Sequence, residues 1–135
     1  MTEIGFKLHA NNIAAAIGLA NLKQQAFVLA KCRAHATRYA SKLPPHVREH
    51  GQGAQTPSPW GYTLFVDDPA AFIQHMLDNG VEVAQHHGRL DRLPGVRRWG
   101  MTPNLDEAFA HYVTLPCGAH LTVQQVDDVI QAVSD

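Results

Sequence analysis

The chain has 135 residues, a length that forms one folded domain rather than two. Apolar side chains make up 45% of it and charged ones 17%, which provides for a core and argues against disorder. The net charge of −1 excludes a strongly basic surface, so neither nucleic acid nor anionic lipid is expected as a partner.

Targeting signals are not recognisable in the sequence. The start has no secretory signal pattern, and the longest apolar run, residues 13–22, is shorter than the about 20 residues that cross a bilayer. Two cysteines, Cys32 and Cys117, are too few for a disulfide framework. We therefore expect a cytoplasmic protein with reduced thiols and no membrane contact.

The first predicted element is one long helix over residues 12–43, rich in Ala, Leu, Lys, Gln and Arg and stopped by Pro44-Pro45. About 30 residues of helix are about 45 Å long, whereas a domain of this size is about 36 Å across. Residues 13–20 are apolar on every side, which indicates burial all round. Ala14 and Gly18, one turn apart, would let another backbone approach closely, although an ordinary core helix with a tolerated glycine fits the spacing equally well.

Residues 44–59 are predicted to be a loop, because glycine and proline interrupt a stretch with little apolar content. A small α/β part then follows over residues 60–135. Its predicted strands are 60–66, 81–84 and 112–115. Three helices are predicted: one that starts after Asp67 or Asp68, one over 104–111 and one over 123–133. The predicted fold is α/β or α+β: a long N-terminal helix, then a small mixed sheet backed by helices.

Polar side chains with binding chemistry gather after the second predicted strand. Residues 85–91 combine amide, imidazole, guanidinium and carboxylate groups, and ligands often lie beyond the carboxyl ends of strands. The candidates there are Gln85, His87, Arg89 and Asp91. The arginines at 89, 92, 97 and 98 are typical of a phosphate or carboxylate site, or of a solvated loop face.

Metal and nucleophile chemistry have less support. Zinc needs three or four ligands at defined spacing, and the sequence has neither Cys-x-x-Cys nor His-Glu-x-x-His, so no metal site is expected. Cys117 with a histidine would suit nucleophilic catalysis, but a buried, inert thiol is the simpler interpretation.

Three stretches resemble one known family. Gly5-Phe6-Lys7-Leu8-His9-Ala10, followed by Asn11-Asn12 and the Ala-Ala-Ile-Gly helix, is similar to the conserved segment of the DegT/DnrJ/StrS sugar aminotransferases. Residues 80–91 resemble that family's Gly-Val strand and histidine-containing loop, and residues 115–130 its closing strand and helix. The resemblance covers nearly the whole chain.

The resemblance implies a pyridoxal-phosphate (PLP) enzyme of the aspartate-aminotransferase fold type. Such enzymes are homodimers that move an amino group, generally from glutamate, to a keto group on a nucleotide-linked sugar. It also implies that Lys7 and His9 lie near the cofactor, and that the four candidates in residues 85–91 face the substrate.

Family members are about three times longer, and their large domain carries the lysine that binds PLP covalently. We therefore assign no catalytic residue and expect no covalent PLP on this chain. The sequence predicts the C-terminal domain of a sugar aminotransferase without its catalytic-lysine domain, inactive alone. The alternative is a stand-alone binding or dimerisation module derived from that family. The expected partners are a second copy, through the helix at residues 13–22, or a separate large-domain chain, together with a nucleotide sugar.

Overall fold

The computed structural model describes residues 11–45, 47–49, 58–96 and 100–135. These ranges contain five helices and three short strands, with one 3-10 turn at Leu90–Arg92. The elements are α1 (Asn12–Leu22), α2 (Gln25–Lys42), β1 (Arg48–Glu49), β2 (Gly61–Phe65), α3 (Pro69–Asp78), α4 (Pro103–His111), β3 (Tyr112–Pro116) and α5 (Val123–Ser134).

The three strands form one sheet in the order β1-β2-β3. Both pairings are antiparallel, and the longer one aligns Gly61 with Pro116 and Phe65 with Tyr112. The predicted class, a small sheet backed by helices, is confirmed. The described sheet is antiparallel rather than mixed, because residues 81–84 do not form the strand that the sequence predicted.

Helix α3 determines the path of residues 81–84. The backbone N–H of Gly80 bonds to the Leu77 carbonyl, and that of Val81 to the Met76 carbonyl, with Gly80 at φ +76°. This is a Schellman motif, and it ties Val81 to the end of the helix. Only Ala84 is left to reach the sheet, where it makes a single antiparallel bridge to Thr114.

Strand β1 lies inside the stretch predicted as a loop, residues 44–59. Its two residues pair with Leu64 and Phe65 at the edge of the sheet. A strand of two residues is too short to produce the alternating pattern by which strands are recognised in sequence. Residue 46 and residues 50–57 of that predicted loop lie outside the described residues.

The predicted long helix is in fact two helices, α1 and α2, which meet at an angle of 57°. The turn at Lys23 and Gln24 contains neither glycine nor proline, so composition gave no sign of it. The N–H of Gln24 bonds to the Asn21 carbonyl at 3.0 Å, an i→i+3 bond that tightens the chain where the i→i+4 pattern stops.

Helix α1 leaves the domain with every residue exposed. Its apolar side chains include Ile13, which is 75% exposed, and Leu19, which is 63% exposed. A helix that reaches past the domain was expected from its length. Among the described residues no single helix is long and apolar enough to cross a membrane, although the bent pair α1 and α2 reaches that length and composition together.

The core lies between one face of the sheet and helices α2, α3 and α5. Tyr62 and Leu64 of β2 point into it. Trp60, which the strand predicted over 60–66 would place on the same face, remains exposed just before β2 begins. Asp127 of α5 holds α2 against this core: it accepts two hydrogen bonds from Arg38, at 2.7 and 2.6 Å, and one from Lys42 at 3.0 Å. These bonds keep the pKa of Asp127 well below its usual range.

His35 is a buried titratable group on α2, with only 3% of its surface exposed. Its Nε2 atom has no hydrogen-bond partner within the described part of the chain. Burial and the neighbouring charge of Lys31 lower the pKa of His35, while a bond to the Leu121 backbone acts the other way. Burial therefore favours the neutral form of the His35 imidazole in the folded protein.

We predict that His35 makes the protein less stable in mild acid. Its pKa in the folded state lies below the value near 6.5 of the unfolded chain, so below about pH 6.5 the unfolded state binds more protons. The free energy of unfolding should then fall as pH falls, with a slope from this group of at most about 1.4 kcal/mol per pH unit. Urea unfolding at pH 7.5 and 5.5 should show a smaller loss in His35→Leu than in the wild type. His86→Asn, at an exposed position, is the control and should keep the wild-type difference; an equal loss in His35→Leu would contradict the prediction.

Candidate functional site

The loop that follows Ala84 is attached along the outer edge of β3. The N–H of Thr114 donates to the Ala84 carbonyl at 3.0 Å. Gln85 Nε2 donates to the carbonyls of Tyr112, at 3.0 Å, and Phe109, at 3.2 Å. Gln85, one of the predicted substrate residues, therefore joins the loop to the point where α4 becomes β3.

His87 is fixed through its backbone. Its N–H donates to the Tyr112 hydroxyl at 2.9 Å, and that hydroxyl donates to the His87 carbonyl at 3.0 Å. Because both bonds use backbone atoms, the imidazole remains exposed on the outside of the loop. His87 is the predicted substrate residue with an aromatic ring, and this residue is exposed to solvent.

Arg89 anchors the next part of the loop from inside, with 4% of its side chain exposed. Its Nε and Nη2 donate to the two carboxylate oxygens of Asp91, at 2.8 and 2.7 Å. Nη1 donates to Asp106 of α4, and Nη2 also reaches the Thr102 hydroxyl at 3.3 Å. The carboxylates of Asp91 and Asp106 raise the pKa of Arg89. Arg89 and Asp91 therefore contact each other, and this guanidinium ties the loop to α4.

Aromatic side chains surround a pocket of about 250 Å³ beside this loop. The Trp60 ring lies 5.2 Å from the His86 ring and 5.8 Å from the His87 ring, between centroids. On the other side Phe109 and Tyr112 meet edge to face at 5.2 Å. The pocket is lined by Trp60, Gly61, Thr63, Phe65, His87, Ala108, Phe109, Tyr112 and Thr114.

Two further pockets lie elsewhere in the described part of the domain. A groove of about 620 Å³ runs between residues 79–83 and α5, and it contains the exposed carboxylates of Glu82 and Asp128. A pocket of about 360 Å³ lies beside the start of α3, where Asp68 already accepts the N–H groups of Ala70 and Ala71. Neither of them contains any of the four residues predicted to bind substrate.

The predicted cofactor residues Lys7 and His9 lie outside the described residues. No sequence pattern marked Trp60, Phe109 and Tyr112 as site residues. Strand alternation assigned Trp60 to the buried face with Tyr62, but the strand starts only at Gly61, so that pattern does not extend to Trp60. Phe109 and Tyr112 were recognisable only as parts of a helix and a strand, and the turn between these elements brings them together.

Metal and thiol chemistry receive no support from the described part of the chain. No three His, Cys, Asp or Glu side chains there are grouped so that they could hold a metal ion. Cys32 and Cys117 are both buried, and the Cys117 thiol donates to the Cys32 carbonyl at 3.4 Å. Burial raises the pKa of Cys117 to about 11, so the thiol is protonated at neutral pH and unsuited to nucleophilic attack.

The family model of the DegT/DnrJ/EryC1/StrS aminotransferase family matches residues 1–134. Solved structures agree with it. The chain is similar to the sugar aminotransferase CalS13 from Micromonospora echinospora, with 28% identity and a TM-score of 0.86. It is similar to AtS13 from Actinomadura melliaura, with 30% identity and a TM-score of 0.84. The aminotransferase TlmJ from Streptoalloteichus hindustanus, 24% identical with a TM-score of 0.84, shares the fold.

These matches use almost all of this chain and only a part of the others. They cover 96% of this chain and 36% of CalS13, 98% and 36% for AtS13, and 98% and 38% for TlmJ. The chain therefore spans little more than a third of the length of these structures. No curated protein matches it significantly.

We predict that Arg89 holds the loop in place. Arg89→Met keeps most of the side-chain length but loses all four hydrogen bonds, so the amides of residues 90–96 should exchange with solvent roughly tenfold faster or more. Hydrogen exchange measured by mass spectrometry tests this. Arg92→Met, at an exposed position of the same loop, is the matched control and should leave the exchange unchanged. Unchanged exchange in Arg89→Met would show that the loop does not depend on these bonds.

Proposed function

Because the chain belongs to the DegT/DnrJ/EryC1/StrS aminotransferase family, we propose that it is the C-terminal part of a sugar aminotransferase. The reaction we propose is transfer of an amino group, with PLP, to a keto group on a nucleotide-linked sugar. The observation that carries the proposal is the match over residues 1–134, together with a fold that follows CalS13 over 96% of this chain.

We infer that PLP is not bound covalently by the lysines among the described residues. The family depends on PLP, and a lysine must bind that cofactor covalently. Lys42 is bonded to Asp127, and Lys31 lies 5.8 Å from the centre of the Phe27 ring. Lys23 lies at the exposed bend after α1, and no lysine or arginine lines the three pockets above. We propose that the lysine comes from a large domain outside these 135 residues, and we assign no chemical step to this chain alone.

Helix α1 supports a role in association. Its apolar side chains are exposed on all sides, and exposed apolar patches of more than a few hundred Å² usually mark an interface. We propose that α1 is covered by a second copy of the chain or by the large domain. This surface also favours the second candidate function, a dimerisation module derived from the family, which would keep α1 and lack catalysis.

The proposal about activity predicts that the purified chain mixed with PLP shows no absorbance band of lysine-bound cofactor. Addition of the separately expressed large domain of CalS13 should restore amino transfer from glutamate to a nucleotide-linked keto sugar, whereas each part alone should be inactive. The measurement is product formation by mass spectrometry. A borohydride-trapped PLP adduct on one lysine of this chain would contradict the proposed division. Loss of activity in every mixture, with both parts folded and associated, would favour the non-catalytic module.

The proposal about α1 predicts self-association through the face that holds Ala14 and Gly18. A side chain added at Gly18 meets nothing within 4 Å inside the monomer, so Gly18→Leu should leave the fold intact. It should overpack a close helix contact, which costs about 1–3 kcal/mol, and so weaken association roughly tenfold. Sedimentation equilibrium of wild type and variant measures this. Gly88→Leu, at another open glycine, is the control. A wild-type chain that stays monomeric at high concentration would contradict binding to a second copy.

A further inference from the structure

We propose that the groove of about 620 Å³ between residues 79–83 and α5 is a docking site for an extended, basic peptide segment of a partner protein. The segment carries a lysine or arginine next to apolar side chains, and its main chain bonds to the backbone of Glu82. This inference does not depend on the proposed function.

The groove opens where the sheet stops pairing. Ala84 and Thr114 form an antiparallel bridge, in which the Thr114 N–H donates to the Ala84 carbonyl at 3.0 Å. The next hydrogen-bonded pair of such a ladder would join Glu82 to Pro116, two residues further along each segment. Pro116 has no N–H to donate, and its carbonyl already accepts the Tyr39 hydroxyl at 2.8 Å. Pairing therefore ends at Ala84, and Glu82 is left without a partner strand.

Glu82 keeps free backbone groups at this opening. Within the described part of the chain, neither its N–H nor its carbonyl makes a backbone hydrogen bond. In the ladder that Ala84 begins, both groups would point toward β3, and the groove lies between Glu82 and the end of β3. Unpaired backbone beside a sheet is the surface to which a partner adds a strand, and main-chain hydrogen bonds then provide affinity. The partner's main chain therefore finds one donor and one acceptor at Glu82.

The groove has an apolar base and an acidic rim. Val83 and Val129 are each 5% exposed, whereas Glu82 and Asp128 are exposed residues. The volume is within the roughly 300–1,000 Å³ of sites that hold a whole small molecule, so there is room for more than one side chain. The apolar lining residues are Val81, Val83, Pro116, Leu121 and Val129.

The two carboxylates at the rim lack a cationic partner. Among the described residues neither Glu82 nor Asp128 forms an ion pair, and Asp128 accepts one hydrogen bond, from the Gln124 amide at 2.8 Å. Two carboxylates over an apolar base do not suit a calcium ion, which takes six to eight oxygen ligands. They suit a lysine or arginine, whose stem covers apolar surface while the charged end stays in water. Charge complementarity thus selects a basic segment.

The test measures binding of the peptide acetyl-Lys-Val-Thr-Val-Lys-amide to the full 135-residue chain by calorimetry. We expect binding, and Glu82→Gln and Asp128→Asn should each weaken it roughly twofold to fivefold, as for exposed charge pairs. Peptides with Glu in place of Lys, or Ser in place of Val, should bind roughly tenfold more weakly or worse. In the complex the Glu82 amide should exchange with solvent roughly tenfold more slowly, whereas the Thr114 amide, already bonded, should not change.

The matched control is Asp67→Asn, which removes an exposed carboxylate from the pocket beside α3 instead. It should bind the peptide as the wild type does. No binding of the basic peptide, equal affinity in the folded double variant Glu82→Gln/Asp128→Asn, or unchanged exchange at Glu82 would each overturn the inference. Spermidine that binds as tightly as the peptide would also overturn it, because the groove would then take a bare cation without a peptide main chain.

Discussion

The rest of the molecule depends on the position of strand β3, because its two faces and its outer edge all make contacts. Val113 and Leu115 face the core and are completely buried. Tyr112 and Thr114 face the opposite side and line the aromatic pocket. Its outer edge receives the loop through Ala84 and the side chain of Gln85. A shift of β3 by one residue would exchange the core and pocket faces, so packing of the core fixes the geometry of the candidate site.

The pocket and the loop form one connected arrangement. Arg89 joins residues 89–91 to α4, and the Tyr112 hydroxyl joins the loop to β3. Loops near binding sites are usually among the less stable parts of a fold, whereas this one has charged and backbone hydrogen bonds along its first half. The side chains predicted to bind a ligand thus divide into two kinds: those that build the loop, Gln85, Arg89 and Asp91, and His87, whose ring is left on the surface.

The sequence was informative wherever a local rule decides the structure. The helix predicted after Asp67 or Asp68 begins with Asp68 as its cap, and the helices predicted over 104–111 and 123–133 appear within one residue of those bounds. Two errors came where helix or strand composition does not decide the path of the chain. The bend at Lys23 and Gln24 lies among strong helix formers, and residues 81–84 have strand composition but are held by the end of α3. For the candidate site, His87 of the predicted loop lines the aromatic pocket, but the partner of Arg89 on α4, Asp106, depends on packing between elements and has no local signature.

The bend between α1 and α2 separates two kinds of surface within one chain. Beyond it α2 contributes Ala36 and Tyr39 to the core, while α1 contributes no buried residue at all. Because no residue of α1 is buried, substitutions in residues 12–22 should cost the domain little stability, whereas substitutions at Ala36 or Tyr39 should cost it more. Residues 12–22 are then expected to vary with whatever surface covers them rather than with the core. Sequence covariation that starts in α1 would therefore identify its partner, and covariation that starts in α2 would lead back into the domain.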